Sequence, residues 1–201
     1  YASSNGIAGK AAAAAELCRR LGIQHPEGAP IVGVVSRLTA QKGIHLIKHA
    51  CHRALERGAT FVLLGSAPDP AHQHEFNALA DEMKRKYPGR SGFMFKYDEP
   101  LSHLIYAGCD FLLVPSMFEP CGLTQMIAMR YGTVPVVRRT GGLRDTVTRD
   151  VGFPFAPCEP GPLTEALERA IRVYRRRGKE ESDDEGKWDR MRARAMREDL
   201  S

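Results

Sequence analysis

Pro30-Ile31-Val32-Gly33-Val34-Val35-Ser36-Arg37-Leu38-Thr39-Ala40-Gln41-Lys42-Gly43 joins a short apolar run to a polar loop and a glycine. Ile31 to Ser36 reads as a buried strand, because an unbroken run of β-branched residues suits a strand covered on both faces. From Gly43 to Arg57 the period changes, with Ile44, Ile47, Cys51, Ala54 and Leu55 at helical spacing. The alternation continues downstream. Thr60 to Leu64, Gly92 to Lys96, Asp110 to Val114 and Val134 to Val137 read as strands, with Gly152 to Phe155 a candidate sixth. Asp69-Pro70 and Glu99-Pro100 mark helix starts, since proline is tolerated in a first turn. The expected fold is α/β: a mostly parallel sheet with helices on both faces.

The 201 residues suffice for one domain with a full core. A 43% hydrophobic and 26% charged composition is that of a globular protein. No apolar run approaches the ~18 residues of a bilayer span, so no membrane partner is expected. A net charge of +5 suits an anionic ligand or simple solubility, and is too mild to argue for nucleic acid. Five cysteines without paired spacing fit free thiols in a reducing compartment. No signal or transit peptide is evident after Tyr1.

The expected boundaries are 1–29, 30–177 and 178–201. The first holds a helix from Gly9 to Leu21 and a linker from Gly22 to Ala29. The last holds an acidic loop at Glu180 to Glu185 and a helix from Trp188 to Asp199. Trp188, Met191, Ala195 and Met196 of that helix are placed to face a partner surface. Leu163 to Arg177 is a further expected helix.

In parallel α/β sheets, ligands bind beyond the carboxyl ends of the strands. Arg37 and Lys42 follow the first strand, Tyr97 the third, Glu119 to Thr124 the fourth, and Gly141-Gly142-Leu143 the fifth. A guanidinium fork and an ammonium at a helix start complement a pyrophosphate, although an R-x4-K pair also occurs as surface salt-bridge partners. Gly122, after Cys121, lets the N–H groups of Leu123 and Thr124 approach a phosphate, and Thr124 adds a hydroxyl. Glu119 is suited to accept from sugar hydroxyls and to balance charge at an anomeric carbon; a plain helix-capping acid is the alternative. Tyr97 suits stacking on a nucleobase, and equally a core or rim position. Thr140-Gly141-Gly142-Leu143 suits close backbone approach to a ligand, or a tight turn before Arg144 to Val147.

Other features carry less. His45, His49 and His52 lack an acid or cysteine to complete a zinc shell, so no metal is expected. Ser116 has no His/Asp partner at a recognisable spacing. Cys121 has no identifiable base. No G-x-G-x-x-G follows the first strand.

Four motifs together are specific. Ser36 to Gly43, Lys96-Tyr97-Asp98-Glu99, Pro115-Ser116-Met117-Phe118-Glu119-Pro120-Cys121-Gly122-Leu123-Thr124-Gln125 and Arg138-Arg139-Thr140-Gly141-Gly142-Leu143-Arg144-Asp145 resemble the starch synthase and bacterial glycogen synthase family. Met126 to Gly132 and Lys96 to Tyr106 look most like its soluble class III branch. The resemblance implies one Rossmann-like half of a GT-B glycosyltransferase, the donor-binding one. It implies transfer of glucose from ADP-glucose to the non-reducing end of an α-1,4-glucan, with retention and without metal or cofactor. Arg37 and Lys42 would then grip the diphosphate and Tyr97 would lie against adenine. Glu119 would hold the glucose and be essential for turnover. Gly122, Leu123 and Thr124 would cradle phosphate, with Cys121, Gly141, Gly142 and Leu143 also at the ADP-glucose site.

The family's N-terminal domain, with its K-x-G-G-L loop, is expected as a partner and is not in this sequence. Where related retaining transferases carry a second Glu, this chain has Ile127. The segment from Val147 to Gly152 is shorter than the family pattern. A plastid location is implied for a plant or algal protein, and the cytoplasm for a bacterial one. A UDP-glucose-dependent glycogen synthase and a non-catalytic nucleotide- or glucan-binding module are the alternative readings.

Overall fold

Six strands form one sheet in the order β3-β2-β1-β4-β5-β6, and every neighbouring pair is parallel. The strands are β1 (Ile31–Val35), β2 (Thr60–Leu64), β3 (Ser91–Met94), β4 (Phe111–Val114), β5 (Val134–Arg138) and β6 (Phe153–Phe155). The helices are α1 (Ser4–Leu21), α2 (Ile44–Glu56), α3 (Pro70–Lys86), α4 (Glu99–Gly108), α5 (Thr124–Arg130), α6 (Gly141–Thr146), α7 (Pro160–Arg175) and α8 (Lys187–Arg197). The computed structural model describes residues 4–177 and 186–198; the expected acidic loop at Glu180 to Glu185 lies outside them.

Alternation along each strand sends side chains to two separate cores. Val32, Val34, Phe61, Leu63, Phe111 and Leu113 meet α2, α3 and α7 on one face. Ile31, Val62, Leu64, Leu112 and Val114 meet α1, α4, α5 and α6 on the other. Helices on both faces explain why the strands read as unbroken apolar runs.

Local chemistry sets the helix starts. Asp69 accepts from the Ala71 N–H (2.8 Å) and Asp98 from the Leu101 N–H (2.9 Å), each with proline in the following turn. The edge strand β3 stops at Met94 rather than Lys96, because its only neighbour among the described residues, β2, ends at Leu64. β5 runs one residue further than expected, since Arg138 pairs with Phe155.

The first and last described helices pack onto this body. Leu17 and Cys18 of α1 enter the second core, and the Lys10 ammonium donates to Ala107 O (3.1 Å) and Thr133 Oγ1 (2.7 Å). The expected partner-facing surface of α8 is turned inward. Trp188 and Met191 are buried, with the Trp188 ring 5.1 Å from both Phe111 and Tyr174. Indole and thioether surface there is removed from water by the chain's own sheet.

Candidate functional site

The strand order reverses between β1 and β4. β1 leads to α2 on one face and β4 to α5 on the other, so the two loops part above the sheet and leave a crevice. The pocket there is lined by Ser36, Lys42, Ser116, Glu119, Gly122 and Thr124, among others.

The two loops are bonded together. The Met117 N–H donates to Gln41 O (2.8 Å) and Gln41 Nε2 donates to Phe118 O (3.2 Å). Gly43 has φ +71°, and a Cβ there would stand 2.2 Å from Pro115 O, so only glycine permits this approach. Lys42 Nζ lies 2.6 Å from Glu119 Oε2, and Ser116 Oγ donates to the same oxygen at 3.1 Å. Lys42 and Glu119 side chains keep only 22% and 14% of their exposure, so each charge compensates the other's lost hydration. Lys42 is therefore not a solvent-facing salt-bridge partner, and Glu119 caps no helix.

Around the corner, Gly122 adopts φ +70° and α5 begins at Thr124 with no side chain capping its first turn. Partial positive charge gathers at such an end. Thr124 lines the pocket, and burial pushes up the pKa of the nearby Tyr106 hydroxyl. Leu123 is 67% exposed beside it, and Cys121 is an exposed free thiol.

The remaining expected site residues do not line this pocket. Arg37 follows pocket-lining Ser36 but is itself exposed and outside the pocket wall; its carbonyl accepts from Ser36 Oγ (2.8 Å), while its guanidinium makes no ion pair or hydrogen bond among the described residues. Tyr97 is 85% exposed on the loop leaving β3, two strands from the reversal point, and lines no part of the pocket. Gly141 and Gly142 do serve a close backbone approach, but to protein. A Cβ would stand 2.1 Å from Glu119 O at the first and 1.9 Å from Cys121 O at the second. The Gly142 N–H donates to Glu119 O (3.0 Å). These residues open α6 instead of forming only a turn. Leu143 is fully buried in the core, and its N–H donates to Thr140 O (3.0 Å).

The sequence reading missed three groups that shape the site. Ser116, set aside for want of a catalytic partner, is 1% exposed and bonds Glu119. Gln125 is fully buried, and its Nε2 donates to Gly122 O (2.8 Å), Cys121 O (3.3 Å) and Thr146 Oγ1 (3.0 Å). A buried amide in an apolar helix face was the available signal. Arg138 Nη1 donates to Met117 O from the end of β5, which no local pattern announces. Among the described residues no group of three or more His, Cys, Asp or Glu is placed to hold a metal. His49 Nε2 instead meets Thr164 Oγ1 at 2.7 Å.

A parallel sheet with a charged pair at its reversal point defines a Rossmann-like α/β domain. The chain belongs to the glycosyl transferases group 1 family, whose model matches residues 20–182. It is 61% identical over 189 residues to Arabidopsis thaliana starch synthase 3, chloroplastic/amyloplastic, covering 87% of this chain and 18% of that protein. It is 44% identical to the glycogen synthase of Anaeromyxobacter dehalogenans, covering 97% of this chain and 40% of that one. The catalytic domain of Arabidopsis thaliana starch synthase IV, solved with ADP and acarbose, matches with TM-score 0.84 and 41% identity, over 96% of this chain and 39% of that one. The chain thus spans less than half the length of these relatives.

Proposed function

We propose that this domain binds ADP-glucose in the crevice between β1 and β4, as the donor half of a retaining glucosyltransferase that extends an α-1,4-glucan. The observation that carries the reading is the Lys42–Glu119 pair, which brings a phosphate-binding cation and a sugar-binding carboxylate to one point. The ADP in the crystal of the starch synthase IV relative supports the nucleotide, and its acarbose supports a glucan acceptor.

Lys42 meets the leaving diphosphate, with the uncapped first turn of α5 and the Thr124 hydroxyl on the other side of the phosphate. Charge grows on that phosphate as ADP departs, so a cation there stabilises the transition state more than the ground state. Arg37, exposed on the rim, closes onto the diphosphate when the nucleotide arrives. Glu119 Oε2 is held by Lys42 and Ser116, which leaves Oε1 for glucose hydroxyls. The acceptor hydroxyl attacks on the face from which ADP leaves, and the departing phosphate takes its proton. The configuration is thereby retained. Tyr97 reaches the adenine from the β3 loop. The acceptor groups come from an N-terminal domain like that of the longer relatives.

By likeness to the chloroplastic/amyloplastic relatives, the protein works in a plastid. The test is glucan synthesis by the full-length protein from ADP-glucose and from UDP-glucose, beside this chain alone. Synthesis from ADP-glucose by the full-length protein, with nucleotide binding but little synthesis by the chain, is the expected outcome. Preference for UDP-glucose, or no transfer from either donor, contradicts the proposal.

A further inference from the structure

The turn from Pro115 to Glu119 is gripped from both sides by side chains outside it. Gln41, on the loop after β1, donates through Nε2 to Phe118 O (3.2 Å) and accepts the Met117 N–H at its carbonyl (2.8 Å). Arg138, at the end of β5, donates through Nη1 to Met117 O and, at 3.5 Å, to Ser116 O. Three successive carbonyls are therefore engaged immediately before Glu119. The side chains of Met117 and Phe118 remain 48% and 57% exposed, so their own packing does little to fix the turn. Hydrogen bonds from the loop after β1 and from the end of β5 take that role.

Arg138 is a poor choice for stability alone. Its Nε is buried and has no hydrogen-bond partner among the described residues. A buried unpaired donor is destabilising, and an apolar side chain of similar length would avoid it. A local rule broken beside a site points to a role in function.

We infer that Arg138 is a positioning residue for Glu119. It holds the 115–118 turn so that the carboxylate keeps its place beside Lys42 while the donor sugar binds, with Gln41 as its counterpart across the turn. The inference rests on the proposed role of Glu119. Arg138 acts through the Met117 and Ser116 carbonyls and not on the reacting atoms. A carboxylate displaced by about 1 Å loses up to about 100-fold in rate while the nucleotide still binds, because the phosphate contacts come from Lys42 and Thr124 and not from the carboxylate itself.

The test measures kcat, KM for ADP-glucose and calorimetric ADP affinity in the full-length protein and three variants. Arg138→Met is expected to lower kcat about 10- to 100-fold, with KM and ADP affinity within about threefold of the parent. Arg138→Lys keeps one donor for Met117 O and recovers most of that loss. Gln41→Ala changes an exposed position and lowers kcat roughly 3- to 10-fold without endangering the fold. The inference is overturned if kcat of Arg138→Met stays within about twofold, if Lys does no better than Met, or if the loss falls on ADP affinity alone. Should Arg138→Met not fold, an unchanged kcat in Gln41→Ala overturns it. A parent that makes no glucan overturns the proposed function, and this inference with it. An active parent with an indifferent Arg138 overturns the inference alone.

Discussion

Lys42 Nζ stands 2.6 Å from Glu119 Oε2, a contact between residues that leave different strands on opposite sides of the sheet's reversal point. The pair is largely withdrawn from solvent, and Ser116 supplies the second donor to the same oxygen. A nucleotide's diphosphate entering the crevice would share the ammonium with Glu119 and leave the carboxylate oriented toward the sugar.

Lys42→Ala removes the cation and leaves a partly buried carboxylate with one remaining donor. Turnover of the full-length protein is expected to fall by roughly two orders of magnitude or more, a loss of about 2–4 kcal/mol of transition-state stabilisation. Arg37→Ala is expected to act in the same direction. Steady-state kinetics with ADP-glucose check both, and unchanged rates refute the assignments.

Glu119→Gln keeps the volume and one hydrogen-bonding oxygen while removing the charge. Turnover is expected to drop by roughly 1000-fold or more, with ADP affinity changed by less than about tenfold. A variant active at the parental level would remove Glu119 from the chemistry.

Gly142→Ala places a methyl group against the Cys121 carbonyl, where a Cβ would stand 1.9 Å away. Backbone must shift to admit it, at a cost of about 1–3 kcal/mol. Thermal denaturation is expected to show a lowered midpoint, together with weaker ADP binding because the Glu119–Thr124 corner moves. An unaffected midpoint would contradict the close packing of α6 on that corner.

Lys10, partly buried on α1, holds its ammonium between Ala107 O and Thr133 Oγ1, and desolvation lowers its pKa to about 8, against smaller opposing effects from Asp110 and Cys109. The unfolded chain, with an ordinary lysine pKa of 10.5, binds more protons between those values. Stability contributed by this group therefore rises from pH 8 to 10.5 and is lost as pH falls through 8. The difference in unfolding free energy between the parent and Lys10→Met is expected to change over that window by on the order of 3 kcal/mol. Denaturant unfolding at several pH values measures it; a flat difference would contradict the burial of the ammonium.

The centres of the strands were legible because two covered faces require unbroken apolar runs, as in Ile31–Val35 and Thr60–Leu64. The end of β3 was not, since it depends on the length of β2. Lys42, Glu119, Gly122 and Thr124 could be read as one site from the rule that loops beyond strand ends converge. Gly142 shows the limit of such reading, because a glycine signals close approach without naming what approaches. Gln41 and Arg138 bond carbonyls far away in sequence, and Trp188 finds its partner in Phe111, so no local pattern exposes either. Tyr97 follows a strand as the rule requires, yet its loop leaves the edge strand β3 and lines no part of the pocket.

A crystal of the protein soaked with ADP tests the central claim most directly. The predicted result is diphosphate density within hydrogen-bonding distance of Lys42 Nζ and the Thr124 end of α5, with Arg37 drawn in from the rim. Density for the diphosphate anywhere else, or none at saturating ADP, would contradict it.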